Sequence, residues 1–205
     1  MTPLEVVVLI VSDDRAVVEA DLAAGRLLCP CCGVGVLGGW GCARLREVRM
    51  LEGGVRRLRP RRGRCRELWC RVTHVLLPDI CLARRRYVAE VVGEALLSLG
   101  REGYRRVGER LGIPGETVRD WRCRFCSCAE LIAAHFLWWA RALDASLDPP
   151  VDQGSPARDA LEAIGVCTRV ASLVLRPRPP WSWVSALTAG GLLAINTEPP
   201  WPVPE

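Results

Sequence analysis

Residues 4–11 form a mostly β-branched apolar run and predict a buried strand. Ser12, Asp13 and Asp14 then offer a cap to a helix over 15–24, which Gly25 stops. Residues 26–78 have no helical period. Short apolar stretches predict strands over 43–50, 55–64 and 72–77, with Gly53-Gly54 as a turn and Gly38-Gly39 and Trp40 as the turn into the following hairpin. From Tyr87 onward the period becomes 3.6. Helices are predicted over 87–99, 104–111 and 116–125, followed by an apolar one from 129 that continues until Pro149-Pro150. Ser155 caps a further helix through 175, the RPRPP stretch breaks it, and 181–190 forms a short last helix. Residues 196–205 read as a frayed tail.

Charge changes this picture because of where it sits. All 28 basic residues are arginine. Residues 41–125 hold 21 of them against ten acids, whereas 1–40 and 126–205 each carry a net charge of −3. Codon bias enriches arginine along a whole chain but does not gather it in the middle. A basic centre between mildly acidic flanks predicts a polyanion-binding middle segment. The N-terminus lacks a basic region before its short apolar run, and no stretch approaches eighteen uncharged apolar residues, so neither a secretory signal nor a membrane span is expected. The expected location is the cytoplasm, with the nucleoid as the place of work. There, eleven cysteines favour metal over disulfides.

Four of those cysteines crowd into CPCCGVGVLGGWGC, residues 29–42. Cys29 and Cys32, two residues apart and followed by Gly33, have knuckle spacing. Cys65 and Cys70 supply a second pair beyond an arginine-rich hairpin. Two thiolate pairs so placed predict a zinc ribbon, with Zn2+ in a closed, structural site. Cys31, Cys42 and His74 are the substitutes that could replace one of these ligands. Cys123, Cys126 and Cys128 offer a weaker second cluster, while Cys81, Cys167 and His135 read as core.

GYRRVGERLGIPGETVRDWRCRF, residues 103–125, is the most informative stretch. Val107 and Leu111 share a face with small Gly108 beside them. Gly112 permits the tight turn, Ile113 plugs it, and Val118, Trp121 and Phe125 face inward at i, i+3 and i+7. This pattern predicts a helix-turn-helix whose second helix enters the DNA major groove. Glu116, Thr117, Arg119 and Asp120 are the base-edge candidates, and Arg105, Arg106, Arg122 and Arg124 suit phosphates. Arg84-Arg85-Arg86 could serve as an arm along the backbone or merely as a solvated run.

CPCCG, WGCARLREVR, RRGRC, THVLLPD, RRRY and the 103–125 stretch together resemble an uncharacterised family of bacterial proteins with an N-terminal zinc ribbon and a helix-turn-helix, a domain of unknown function. The same module, over residues 20–130, is similar to the N-terminal DNA-binding region of insertion-sequence transposases. Many relatives have two residues between the cysteines of the second knuckle, where this chain has four. The resemblance implies DNA binding in a regulatory or mobile-element setting.

The expected fold class is α+β: an N-terminal strand and helix (1–25), a small β zinc ribbon (26–78), a helix-turn-helix (84–128), a helical C-terminal region (129–195) and a tail (196–205). No enzyme is expected. A transposase needs three carboxylates around two metals, and the acids after residue 125 sit at helix ends and in a linker. Nor is there a thioredoxin-like context for Cys29–Cys32, and no small-molecule substrate is evident. The expected partner is double-stranded DNA, bound by a monomer or a homodimer. A protein-interaction adaptor, such as a transposition accessory factor or a degenerate transposase fragment, is the competing reading.

Overall fold

The structure, a computed structural model, describes residues 8–194. The expectations for residues 4–7 and for the tail 196–205 lie outside them. Within these bounds the chain is α+β, with a small N-terminal sheet region followed by helices.

β1 (Val8–Val11) leads through α1 (Arg15–Ala23) and the first cysteine knuckle to β2 (Leu37–Cys42). Asp14 caps α1, its Oδ1 accepting from Ala16 N at 2.8 Å, and Gly25 at φ +66° ends the turn after it. β3 (Arg46–Arg49) and β4 (Val55–Leu58) form a separate hairpin, while β5 (Arg61–Cys65) and β6 (Thr73–Pro78) return to the main sheet. The order is β1-β6-β5-β2, with β1 and β6 parallel and the other pairs antiparallel.

Two sequence expectations change here. The stretch 55–64 is two strands in two different sheets, because Arg59-Pro60 breaks the run and Pro60 has no amide to continue a ladder. Residues 38–40, read as a turn, lie inside β2: Gly38 and Gly39 oppose Arg64 and Gly63, and a register irregularity before Cys42 absorbs the glycines.

The sheet separates two apolar layers. On one side Val18 and Leu22 of α1 meet Val11, Leu37, Cys65 and Leu76, with Cys29 at one end. On the other, Val8, Ile10 and Leu77 join the main core of helices. This inside-outside alternation follows from the two-residue strand period. Gly63 faces the α1 side, where a Cβ would come 3.1 Å from Leu37, so glycine lets β5 accommodate that leucine.

Helices α2 (Ala89–Leu97), α3 (Tyr104–Leu111), α4 (Gly115–Ser127), α5 (Ala129–Leu143), α6 (Pro156–Val174) and α7 (Pro180–Leu187) share one continuous core. α5 ends at Leu143, earlier than its apolar pattern implies, where Asp144 turns extended and binds Ser146 through its carboxylate. α5 and α6 pack along each other, and α7 folds back against α2 and β1. The Trp181 indole occupies the place a side chain at Gly93 would take, since a Cβ there would lie 1.9 Å from the ring. His135 sits in this core, with Nε2 2.9 Å from the Leu187 carbonyl oxygen, and Arg178 pairs with Asp79 at 3.2 Å.

Candidate metal centre and basic helical hairpin

Cys29, Cys32, Cys65 and Cys70 come together, their sulfurs all within 4.8 Å of one another. The first knuckle is a tight loop: Gly33 N donates to the Cys29 carbonyl at 2.8 Å, Cys29 N donates to the Gly35 carbonyl at 2.7 Å, and Gly33 adopts φ +72°. The second knuckle accommodates its four intervening residues as a single turn. Cys70 N and Arg71 N both donate to the Glu67 carbonyl, and Arg71 takes the left-handed conformation that closes it. Leu37 and Cys65 are opposed across β2 and β5, so strand pairing sets the first knuckle beside the second.

The spacing fits a metal ion rather than a disulfide. Cys29 and Cys70 sulfurs are 3.7 Å apart, and those of Cys32 and Cys65 are 3.8 Å apart. A tetrahedron of thiolates with metal–sulfur bonds of ~2.3 Å has sulfur edges of ~3.8 Å. Gly35 is part of the cage. A Cβ there would stand 2.5 Å from the Cys65 sulfur and 3.3 Å from that of Cys32, while its amide donates to Cys32 Sγ at 3.4 Å. That amide, with that of Val34, holds the Cys32 thiol down to about 7, in the thiolate's favour. Burial pushes Cys29 up to about 12, so an unpaired charge there is costly and a bound cation would offset the cost.

Of the substitutes, Cys31 is exposed and outside the group, and Cys42 lies at the far end of β2, 3.7 Å from Arg61 Nη1. His74 is buried with Nε2 3.2 Å from Cys29 Sγ, outside the group of four sulfurs. Cys123, Cys126 and Cys128 do not form a metal-ligating group among the described residues.

The second assembly is the α3–α4 hairpin. Gly112 adopts φ +64°, Ile113 N donates to the Gly108 carbonyl at 2.9 Å, and Ile113 fills the angle between the helices. Two glycines let the helices touch. A Cβ at Gly108 would meet the Ile113 carbonyl oxygen at 2.8 Å and Gly115 at 2.9 Å, and one at Gly115 would meet Arg105 Cα at 3.2 Å. Val107, Val118, Trp121 and Phe125 are buried beneath, and Tyr87 meets Trp121 edge-on at 5.2 Å.

Glu116, Arg119, Asp120 and Arg124 are exposed on the outer side of α4, Thr117 is half-buried, and Arg105 and Arg106 are exposed on α3. Arg119 is already held, 2.7 Å from Glu116 and 3.4 Å from Asp120. Arg122 turns the other way: its Nε and Nη1 donate to the Ala95 and Glu102 carbonyls at 3.0 and 2.8 Å, fastening α4 to the neighbouring chain. Its position among the phosphate-facing residues therefore gives way to a clamping one.

A contact not expected from the sequence joins the β3–β4 hairpin to this unit. Arg49 Nη1 donates to the Gly112 carbonyl at 3.2 Å, and β3 backbone bonds to Arg86 and Val88. Arg46 also donates to the Arg85 carbonyl. Arg85 is half-buried, and its guanidinium is pushed below its usual range by that burial and, secondarily, by the charge of Arg124. The Arg84–Arg86 segment thus runs beside α4. A glycine-rich turn and scattered arginines carry no sequence signal for such a pairing.

No curated protein and no solved structure matches this chain. The model of a domain of unknown function (DUF6431) matches residues 29–121, from the first of the clustered cysteines to Trp121 of α4.

Proposed function

We propose that this protein binds double-stranded DNA in a sequence-specific manner, reading the major groove with α4 as the second helix of a helix-turn-helix. On this reading a structural zinc ribbon holds the N-terminal sheet. The observation that carries it is the α3–α4 hairpin: glycine contacts fix the crossing, Val107, Ile113, Val118, Trp121 and Phe125 are buried between it and the core, and the outer face of α4 presents Thr117, Arg119, Asp120 and Arg124. Arg105 and Arg106 of α3, with Arg84 and Arg86, supply phosphate contacts around it. Glu116 and Asp120 hold the Arg119 fork before DNA arrives. They orient it, and they make indiscriminate phosphate binding compete with two carboxylates.

The metal is proposed to be zinc because four thiolates with these edges suit a soft-accepting tetrahedral ion. With all four positions taken by sulfur, it stabilises the fold and activates no water. A role in transcriptional regulation or in a mobile element, without catalysis, is the setting this reading implies. Selection of bound sequences from a random duplex pool with the zinc-loaded protein tests it. An enriched motif that Arg119→Ala/Arg124→Ala abolishes is expected, and an unenriched pool would end the reading.

A further inference from the structure

α1 covers one face of the N-terminal sheet, and the helical core covers the other face only along β1 and β6. The outer face of β2 and β5 carries a different set of residues. Gly63 and Cys65 point toward α1, so Arg62 and Arg64 alternate onto the opposite side, and Arg66 follows in the same phase. Trp40 of β2 lies there too: the Arg64 guanidinium stacks 4.5 Å from its ring centre, leaving the indole 53% exposed. Arg66 lies over Gly38, where a Cβ would come 3.0 Å from its Nε, so glycine keeps this strip flat.

Some arginines of the sheet region are already neutralised by carboxylates. Arg61 pairs with Glu19, Arg56 with Asp13 and Arg57 with Glu47. Among the described residues, Arg62, Arg64, Arg66 and Arg71 pair with no carboxylate. Arg64 Nε instead donates to the Arg71 carbonyl at 3.2 Å, which fixes its fork against Trp40. The adjoining turn adds a second exposed indole, Trp69, at 70%.

Four cations with no carboxylate beside them suit a polyanion, but they do not account for exposed indoles. Duplex DNA keeps its base faces stacked inside, whereas an unpaired strand offers both phosphates and bare π-faces. We propose that the outer face of β2 and β5 binds a single-stranded polynucleotide, bases stacking on Trp40 and phosphates lying along Arg62, Arg64, Arg66 and Arg71. This site is separate from α4 and does not rest on the duplex reading.

The test is fluorescence anisotropy of full-length, zinc-loaded protein with labelled dT20, rU20 and a mixed-sequence 30-base-pair duplex, zinc content serving as the check of folding. Binding of dT20 or rU20 is expected, the tighter of the two naming the natural strand. Trp40→Ala and Arg64→Ala/Arg66→Ala should each weaken it about tenfold or more. Trp40→Phe and the single Arg66→Gln, which disturb the sheet least, should retain part of the affinity, and Arg119→Ala/Arg124→Ala should leave it unchanged. No single-strand binding at low salt would overturn the proposal. So would single-strand binding indifferent to Trp40→Ala, or lost with the α4 arginines. Failure of the duplex reading shows separately, as duplex binding indifferent to the α4 variant.

Discussion

Nε2 of His74 stands 3.2 Å from Sγ of Cys29, so the histidine backs the thiol cluster without entering it. When Nε2 carries the ring proton and Cys29 is a thiolate, this contact draws charge off the sulfur and fixes its direction, as outer partners of metal ligands do. The purified protein is therefore expected to hold one zinc per chain by elemental analysis. Cys32→Ser should lose it and Cys31→Ser should keep it. His74→Phe should still bind zinc but release it to a chelator about tenfold or more faster. A folded, zinc-free protein would remove the site.

Two glycine-to-alanine changes are expected to have opposite signs. At Gly108 the new methyl would press on the Ile113 carbonyl and the Gly115 backbone, neither of which can swing aside. A loss of about 1–3 kcal/mol is expected in urea unfolding. At Gly165, inside α6, nothing lies within 4 Å, so the methyl costs no space and removes the flexibility of glycine. Gly165→Ala should stabilise by about 0.5–1 kcal/mol. Equal effects would mean that α3 and α4 do not touch as described.

Asp79 sets a pH dependence. Burial, with the Asp13 carboxylate as a lesser cause, raises its carboxyl to about 6, above the usual carboxylate range, even though Arg178 stands 3.2 Å away and favours the ionised form. The folded chain therefore keeps a proton that the unfolded chain has already released, and ionising Asp79 costs stability as pH climbs from about 4 to about 6. Asp79→Asn removes that cost. Its stability relative to the parent should improve by about 1–2 kcal/mol between pH 5 and pH 7. A difference flat with pH would place Asp79 among ordinary surface acids.

The proposed duplex contacts make a salt-dependent prediction. Affinity should fall steeply as salt rises, and Arg105→Ala/Arg106→Ala should flatten that slope for every sequence alike. Arg119→Ala should instead reduce the preference for the selected motif. Arg122→Ala should act through stability, because its donors serve the Ala95 and Glu102 carbonyls. Anisotropy across a salt series, paired with thermal unfolding, separates the three.

Local chemistry carried much of this into the sequence. The bounds of α3 and α4 follow from Gly112 and from Val118, Trp121 and Phe125, and the four clustered cysteines follow from pair spacing. What was illegible depends on distant partners. Gly38 and Gly39 read as a turn because two adjacent glycines lack β propensity, yet β5 recruits them as a strand. Arg122 looks like its neighbours in sequence and differs only because two carbonyls from α2 and the following loop stand within its reach. The parallel β1–β6 pair joins residues more than sixty positions apart, a distance no local pattern spans.

The Trp181 indole filling the place of a side chain at Gly93 has a temporal meaning. A ribosome releases α2 long before it releases α7, so the nascent chain carries α2 with an open seat until its closing indole emerges. Until then the groove beside Gly93 is exposed to any apolar surface it meets. The chain can finish its fold only when most of it has been made, and α2 waits for a helix that lies far behind it in the order of synthesis.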